Sequence, residues 1–342
     1  MKARAIKHTL FFKRPSGTSR GVLTEKDTYF LVLEKNGKKG IGECALLRGL
    51  SIDDVPEYEA VLEELCVQLN TDRFHESLLI EYPSLQMGLE IALRSLESES
   101  PFVLYPSDFT KAKKDIPING LVWMGDFAFM QRQIEEKIAS GFNCIKLKIG
   151  AIEFEKELQL LEQIRSQFPA DQIEIRVDAN GAFSPESALS KLKELAAFQL
   201  HSIEQPIAVK QLEEMKNLCA TSPLPIALDE ELIGVKGDQK EDLLKRIQPQ
   251  YIILKPSLLG GFKATKEWID LAEEQHIGWW ITSALESNIG LNAIAQWSAT
   301  LSTTRPQGLG TGSLFTNNFS SPLKVENGYL RYDLNSAWEV NL

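Results

Sequence analysis

The 342-residue sequence predicts an α/β protein of two units, an α+β segment at residues 1–110 and a closed barrel of eight parallel strands at 111–314. Three observations predict it. The length exceeds what one ordinary core organises, yet it suits a barrel carrying a smaller unit. Apolar residues make up 43% and charged ones 25%, a globular composition that argues against long disorder. From Pro117 onward, short apolar runs alternate with helix-length amphipathic segments, which is the pattern of strand–helix units around a parallel sheet.

In the first unit, AIKHTLFF and TYFLVLEKNGKKGIGECAL read as strands, the second containing a hairpin turn at Asn36-Gly37. Between them KRPSGTSRGVLTEK is rich in small and turn-forming residues and is expected to be a mobile loop. VPEYEAVLEELCVQLN and SLQMGLEIALRSLES carry apolar residues at three- and four-residue spacing, so both are expected to be helices.

After the charged stretch TKAKKD come eight strand candidates: PINGLVW, NCIKLKI, IEIRVDA, SIEQP, PIALDE, YIILKP, GWWITSA and RPQGLGT. Segments such as FEKELQLLEQIRSQF and FKATKEWIDLAEEQ lie between them and fit helices. An open doubly wound sheet is the alternative, but no GxGxxG follows a first strand to support a dinucleotide fold. Within NCIKLKI, alternation puts Ile145, Leu147 and Ile149 on one face and Lys146 and Lys148 on the other. Taken alone, that stretch also fits an edge strand whose lysines discourage pairing with other chains.

Composition narrows the class of function. The net charge of −10, with no basic run interleaved with aromatics, argues against a nucleic-acid groove and points to a small-molecule partner. Cys44, Cys66, Cys144 and Cys219 form no CxxC pair and sit in apolar patterns, as buried thiols of a reducing compartment do. No apolar run approaches the ~18 residues of a membrane span, and the N-terminus is too charged for a signal segment, so a cytoplasmic location is expected. Nothing in the sequence fixes an oligomeric state.

One ionisable residue ends each of five consecutive strand candidates: Lys148, Asp178, Glu204, Asp229 and Lys255, at separations of 30, 26, 25 and 26 residues. Each alone fits a cap, a turn or a solvated side chain. In a barrel, however, those strand ends converge on one mouth, where active sites of such folds lie. Gathering five charges there is costly unless they compensate one another. Three carboxylates without neighbouring His or Cys are hard oxygen ligands suited to Mg²⁺; the four histidines, at 8, 75, 201 and 276, form no HxxxH pair for zinc. Glu230 adjoins Asp229, and strand alternation is expected to send it to the opposite face. Asn180, two residues after Asp178, shares its face and is a candidate to hold a metal-bound water or the substrate. Lys148 and Lys255 leave from the second and sixth strands and approach a central ligand from opposite sides. Lys146, ~7 Å from Lys148 along the same face, is placed to lower the pKa of its neighbour. A metal with two opposed lysines is a site for making and holding an enolate.

The order KLK, DAN, EQP, DE and KP at successive strand ends resembles the enolase superfamily, in particular the muconate lactonizing enzyme subgroup. The resemblance runs over nearly the whole chain. It implies a modified TIM-type (β/α)7β barrel at 111–314, and it implies that residues 1–110, joined by the C-terminal tail 315–342, form an α+β capping domain. It implies Mg²⁺, with Mn²⁺ as a substitute, on Asp178, Glu204 and Asp229, with Lys148 and Lys255 as the catalytic pair and Lys146 beside them, acting on a small-molecule carboxylate.

Two activities of the subgroup then stand open. One is dehydration of 2-succinyl-6-hydroxy-2,4-cyclohexadiene-1-carboxylate to o-succinylbenzoate, in menaquinone biosynthesis; the other is epimerisation of dipeptides or racemisation of N-succinylamino acids. PINGLVWMG and TSALESNIG are similar to the dehydrating members, and GLGTGSLF lacks the Asp-x-Asp by which the epimerases hold an ammonium group. Ser283, Gly310 and Thr311 are candidate substrate contacts, the glycine-rich turn offering backbone N–H groups to a carboxylate. Trp123 fits either a ring contact or a rim aromatic, and Ser287 and Asn288 fit helix caps. Residues 15–25 and 47–55 are expected to close over the mouth by analogy with the capping domain, with Arg20 or Arg48 as candidates for the succinyl carboxylate. A metal-binding barrel without catalysis is the reading from another class.

Overall fold

The computed structural model describes residues 1–18, 21–150 and 152–342. The chain begins with an antiparallel sheet of β1 (Lys2–Thr18), β2 (Gly21–Lys35) and β3 (Lys38–Cys44). Asn36 and Gly37 both have positive φ, 52° and 77°, as a two-residue hairpin turn requires. Of the stretch expected to be a mobile loop, residues 19 and 20 lie outside the described residues, and the described parts, 13–18 and 21–26, are instead strand. β1 and β2 pair from Lys2↔Glu34 to Thr18↔Gly21, with one irregularity between Phe11 and Ser16 that absorbs the turn-forming residues. Helices α1 (Tyr58–Asn70) and α2 (Pro83–Glu97) cover one face, burying Leu31, Leu33, Leu62, Leu65 and Leu85. The packing of α2 on β3 depends on glycine, because a Cβ on Gly42 would stand 1.9 Å from the Gly88 carbonyl.

The second unit opens with β4 (Ile116–Pro117) and β5 (Gly120–Val122), then alternates α3 (Phe127–Ala139), β6 (Cys144–Lys148), α4 (Phe154–Gln167), β7 (Glu174–Asp178), α5 (Pro185–Ala196) and β8 (Ser202–Glu204). It continues with α6 (Leu212–Thr221), β9 (Ile226–Leu228), α7 (Gln239–Ile247), β10 (Tyr251–Leu254), α8 (Pro256–Leu259), α9 (Gly261–Glu274), β11 (Gly278–Ile281) and α10 (Asn288–Ser298). Among the described residues, β5 to β11 form a seven-stranded parallel sheet in sequence order. Ile145, Leu147, Ile175 and Val177 on its outer face meet Leu160, Leu161 and Ile164 of α4, so the apolar side of NCIKLKI packs on the helices as expected.

RPQGLGT does not form the eighth strand. It joins the two edges of the sheet by single bridges, Ile118↔Gln307 and Thr282↔Gly308, both parallel. Pro306 has no N–H to give, and side chains supply what the ladder lacks. Gln307 Oε1 accepts from Ile281 N at 2.6 Å, and Arg176, buried inside the ring, donates to the Pro306 carbonyl at 3.0 Å while stacking on Trp280.

The tail serves both units. β12 (Leu323–Glu326) and β13 (Tyr329–Tyr332) form a hairpin that pairs with β4, whereas Phe315 bridges Phe12 and Trp338 stacks on Phe102 at 4.3 Å.

Candidate active site

Strand register assembles the mouth. Lys148 pairs with Asp178 across β6 and β7, and Asp178 pairs with Glu204 across β7 and β8, so consecutive strands deliver their terminal polar groups at one level. Asp229 follows β9 and opens a 3₁₀ turn, Glu230–Leu232; Lys255 follows β10, immediately before Pro256 of α8. Just past Asp178 and Glu204 the chain turns through the left-handed region at Asn180 (φ 43°) and Gln205 (φ 40°). Gln205 then ties two strand ends together, its Oε1 accepting from Asp229 N and Glu231 N at 3.3 Å each and its Nε2 donating to Glu231 Oε2 at 3.1 Å.

The five residues expected at the mouth do meet there, together with Lys146. Asp178, Glu204 and Asp229 are buried, with 1–2% of their surface exposed. Lys146 Nζ lies 2.9 Å from Asp178 Oδ2 and also contacts Glu204 Oε2. Lys148 Nζ meets the same Asp178 oxygen at 3.0 Å and donates to Asn180 Oδ1 at 2.7 Å. Lys255 Nζ pairs with Asp229 Oδ2. Among the described residues, no three acidic, histidine or cysteine side chains form a ready-made metal cluster, as ammonium groups hold the carboxylates. The donor set is nonetheless all oxygen, and Glu204 Oε1 is buried without a hydrogen-bond donor. Both features fit a hard divalent cation.

Burial and mutual charge set the protonation preferences. Desolvation, reinforced by Asp178, pushes the Glu204 carboxyl well above its usual range. Burial would also raise Asp178, but Lys146 and Lys148 outweigh it and hold that carboxylate well below the usual range. Asp229 is likewise held down, by Lys255 against the effect of burial. Burial would lower both lysines, yet Asp178 and Glu204 raise Lys146, and Asp229 and Glu204 raise Lys255.

A cavity of about 730 Å³ opens over this cluster, lined by Lys146, Lys148, Asp178, Asn180, Glu230 and Lys255. Ser283, Gly310, Thr311 and Trp123 line it as well, and the Ser283 and Thr311 hydroxyls share a 2.6 Å hydrogen bond. Leu47 and Leu50 from the first unit also face it, in keeping with closure by residues 47–55. Arg48 is turned to Asp54, 2.5 Å away, and does not line the cavity; Arg20 lies outside the described residues. Ser287 caps α10 by accepting from Ile289 N at 3.2 Å, and Asn288 ties that helix to the Phe319 carbonyl at 2.7 Å.

Glu230 corrects the sequence reading. It was expected on the opposite face from Asp229, but β9 ends at Leu228, and in the 3₁₀ turn that follows strand alternation no longer applies. Its Oε1 accepts from Asn180 Nδ2 at 2.9 Å. Asn180 therefore has both ends of its amide engaged, one by Lys148 and one by Glu230. Gln205 was missed altogether, and the only signal for it was its place beside Glu204.

Residues 129–335 match the family described as Enolase C-terminal domain-like. The chain is 51% identical to an o-succinylbenzoate synthase of Desulfotalea psychrophila, over 94% of this chain and 96% of that protein. The crystal structure of MenC from Desulfotalea psychrophila superposes with a TM-score of 0.86 at 47% identity, covering 97% of this chain and 99% of that one. An L-amino acid-D/L-Glu epimerase of Sulfurimonas denitrificans is 24% identical over 75% of this chain and 76% of that protein. The barrel mouth with its opposed lysines and these matches lead to one conclusion: the chain belongs to the enolase superfamily.

Proposed function

We propose that this protein is a hydro-lyase that dehydrates 2-succinyl-6-hydroxy-2,4-cyclohexadiene-1-carboxylate to o-succinylbenzoate, a step of menaquinone biosynthesis. The observation that carries this reading is the pair Lys148 and Lys255, on β6 and after β10, lining one cavity with buried carboxylates between them. Half of the residues are shared with a synthase matched over 96% of its length, against a quarter with the epimerase, which supports dehydration over epimerisation. The stretch Gly308–Phe315 contains no acid to hold a substrate ammonium group, which agrees with a substrate that has only anionic ends.

Lys148 Nζ, positioned by Asp178 and Asn180, takes the proton from the ring carbon that bears the carboxylate. The electron pair left on carbon expels the ring hydroxyl; Lys148 returns its proton to that oxygen, and water departs as the ring becomes aromatic. Lys255, held as an ammonium by Asp229, faces the other side and lends positive charge to the enolate without exchanging a proton. Mg²⁺, or Mn²⁺ in its place, held by Asp178, Glu204 and Asp229, would supply fixed positive charge where the substrate carboxylate sits. Ser283, Thr311 and the Gly310 backbone, which line the cavity, take the succinyl end. The four free, buried cysteines agree with a reducing cytoplasm.

The test is an ultraviolet assay for the aromatic product, using purified protein, Mg²⁺ and the cyclohexadiene substrate. Product should appear only with metal present. No product, accompanied by racemisation of an N-succinylamino acid, would replace the dehydratase reading with the racemase one.

A further inference from the structure

The N-terminal unit reaches the active-site wall through a second buried charge cluster that the proposed reaction does not use. Glu43, at the end of β3, has no exposed surface, and its carboxylate sits at the start of α10 in the barrel. Oε1 accepts from Thr28 Oγ1 at 2.8 Å and Ser287 N at 2.9 Å; Oε2 accepts from Ser287 Oγ at 2.5 Å and Gly290 N at 2.9 Å. The approach needs a glycine there, because a Cβ on Gly290 would stand 2.8 Å from Oε2.

Next to Ser287, the buried Glu286 accepts from Ser257 Oγ at 2.6 Å and from Ala284 N at 2.7 Å, linking this loop to the residues just after Lys255. Lys26 of β2 completes the cluster. It is 5% exposed and, among the described residues, its ammonium donates to no hydrogen-bond acceptor; burial pushes its pKa down against the opposing pull of Glu43 and Glu286. The same loop presents Ser283, Ala284 and Leu285 to the cavity, with Leu285 in the left-handed region at φ 62°. A non-glycine residue holds that conformation only where its surroundings impose it. The surroundings here are the hydrogen bonds at both ends of the loop, one set of which comes from the other unit.

We propose that Glu43 is a positioning residue: from the N-terminal unit it pins the Ser283–Ser287 loop and thereby sets how tightly the cavity holds its substrate. Glu43 accepts from Ser287 and Gly290 at both oxygens, which an amide cannot do. The inference rests on the proposed reaction only for the identity of the substrate.

The experiment uses the full-length protein with Mg²⁺ and compares Glu43→Gln with Ser287→Ala. Asn70→Ala, which removes the hydrogen bonds between the end of α1 and the Ala3 backbone, away from both the loop and residues 47–55, is the control. Hydrogen exchange of the 283–290 amides should rise about tenfold in Glu43→Gln, with KM for the cyclohexadiene substrate raised by about the same factor and kcat little changed. Ser287→Ala, the milder change, should show a smaller effect of the same kind, and it decides the matter should Glu43→Gln not fold. Asn70→Ala should lower Tm and leave both readouts alone. Unchanged exchange and KM in Glu43→Gln, or equal changes in Asn70→Ala, would overturn the proposal. If the wild type does not turn over the substrate, the proposed reaction fails, and the exchange data alone decide on the latch.

Discussion

Replacing Lys148 and Lys146 in turn by alanine should separate chemistry from stability, although the two side chains touch the same oxygen. Lys148 gives Asp178 one of its two ammonium contacts, the other being Lys146 at 2.9 Å, and Asp178 Oδ1 also accepts from Asn180 N at 3.0 Å. Removing Lys148 therefore leaves every buried carboxylate partnered, at a cost in stability of about 1–2 kcal/mol. Removal of the base should lower kcat by about 10²–10⁴, equivalent to roughly 3–5 kcal/mol of barrier. Lys146 is different, because it is the ammonium that contacts Glu204, and its loss strands a buried carboxyl group. The Glu204 carboxyl, raised by burial, then keeps a proton, so the cost is that of a buried polar group left without a partner, about 1–3 kcal/mol. The assays are the ultraviolet assay at saturating Mg²⁺ and urea unfolding of the metal-free protein. Lys148→Ala should be inactive and close to wild type in stability, and Lys146→Ala should be the less stable of the two by roughly 1 kcal/mol. Turnover by Lys148→Ala within tenfold of wild type would remove Lys148 as the base. A larger stability loss there than in Lys146→Ala would show that the carboxylates are partnered otherwise than argued.

Lys255→Arg keeps a cation beside Asp229 but cannot exchange a proton near neutral pH, so measurable dehydration should survive; complete loss would mean that Lys255 moves a proton. Asp178→Asn should weaken Mg²⁺ binding by about tenfold or more, the effect of losing one charged ligand, and an unchanged calorimetric titration would take Asp178 off the ligand set. His201, stacked on Tyr251 at the inner end of the barrel, is pushed down to about 4 by burial. An unfolded histidine titrates near 6.5, so this stability is fully present above about pH 6.5 and is lost as pH falls toward 4. His201→Phe, which keeps the stacking, should flatten stability over that window in pH-dependent urea unfolding, and an unaltered acid limb would exclude His201 as its source.

The parts of the site legible in the sequence are those that obey a short period. Alternation puts Lys146 and Lys148 on one face, and the strand–helix repeat brings Asp178 and Glu204 to one level, as the register Lys148↔Asp178 and Asp178↔Glu204 bears out; Asp229 follows two residues past Ala227, the partner of Glu204. Periodicity failed where the backbone left its regular path. Glu230 turned inward because β9 stops two residues earlier, and the RPQGLGT segment was reduced to two bridges, with side chains of Arg176 and Gln307 taking over part of the closure. KRPSGTSRGVLTEK read as a loop because its composition is that of a turn, yet β1–β2 pairing uses backbone groups that composition does not reveal. The cluster of Lys26, Glu43 and Glu286 had no local signal, since it joins residues more than 240 positions apart.

Charge balance links the metal, the lysines and the substrate. Counted as formally charged, the mouth holds Asp178, Glu204, Asp229 and Glu230 against Lys146, Lys148 and Lys255. That is one negative charge in excess, which the Glu204 carboxyl, raised by burial and by Asp178, relieves by holding a proton. A substrate with two carboxylates would bring two more negative charges into the same cavity, which the three lysines, already engaged, cannot offset. A divalent cation entering with it adds the opposite two, so metal and substrate together leave the balance of the mouth as it was. Each should therefore bind better in the presence of the other. The same count shows why the lysines are opposed rather than clustered. Lys146 holds Asp178 and Glu204, Lys255 holds Asp229, and Lys148, sharing Asp178 with Lys146, has the neutral Asn180 as its other partner. A non-catalytic metal barrel has need of the first two, whose pairing stabilises the carboxylates, but not of a third lysine whose own carboxylate is already paired.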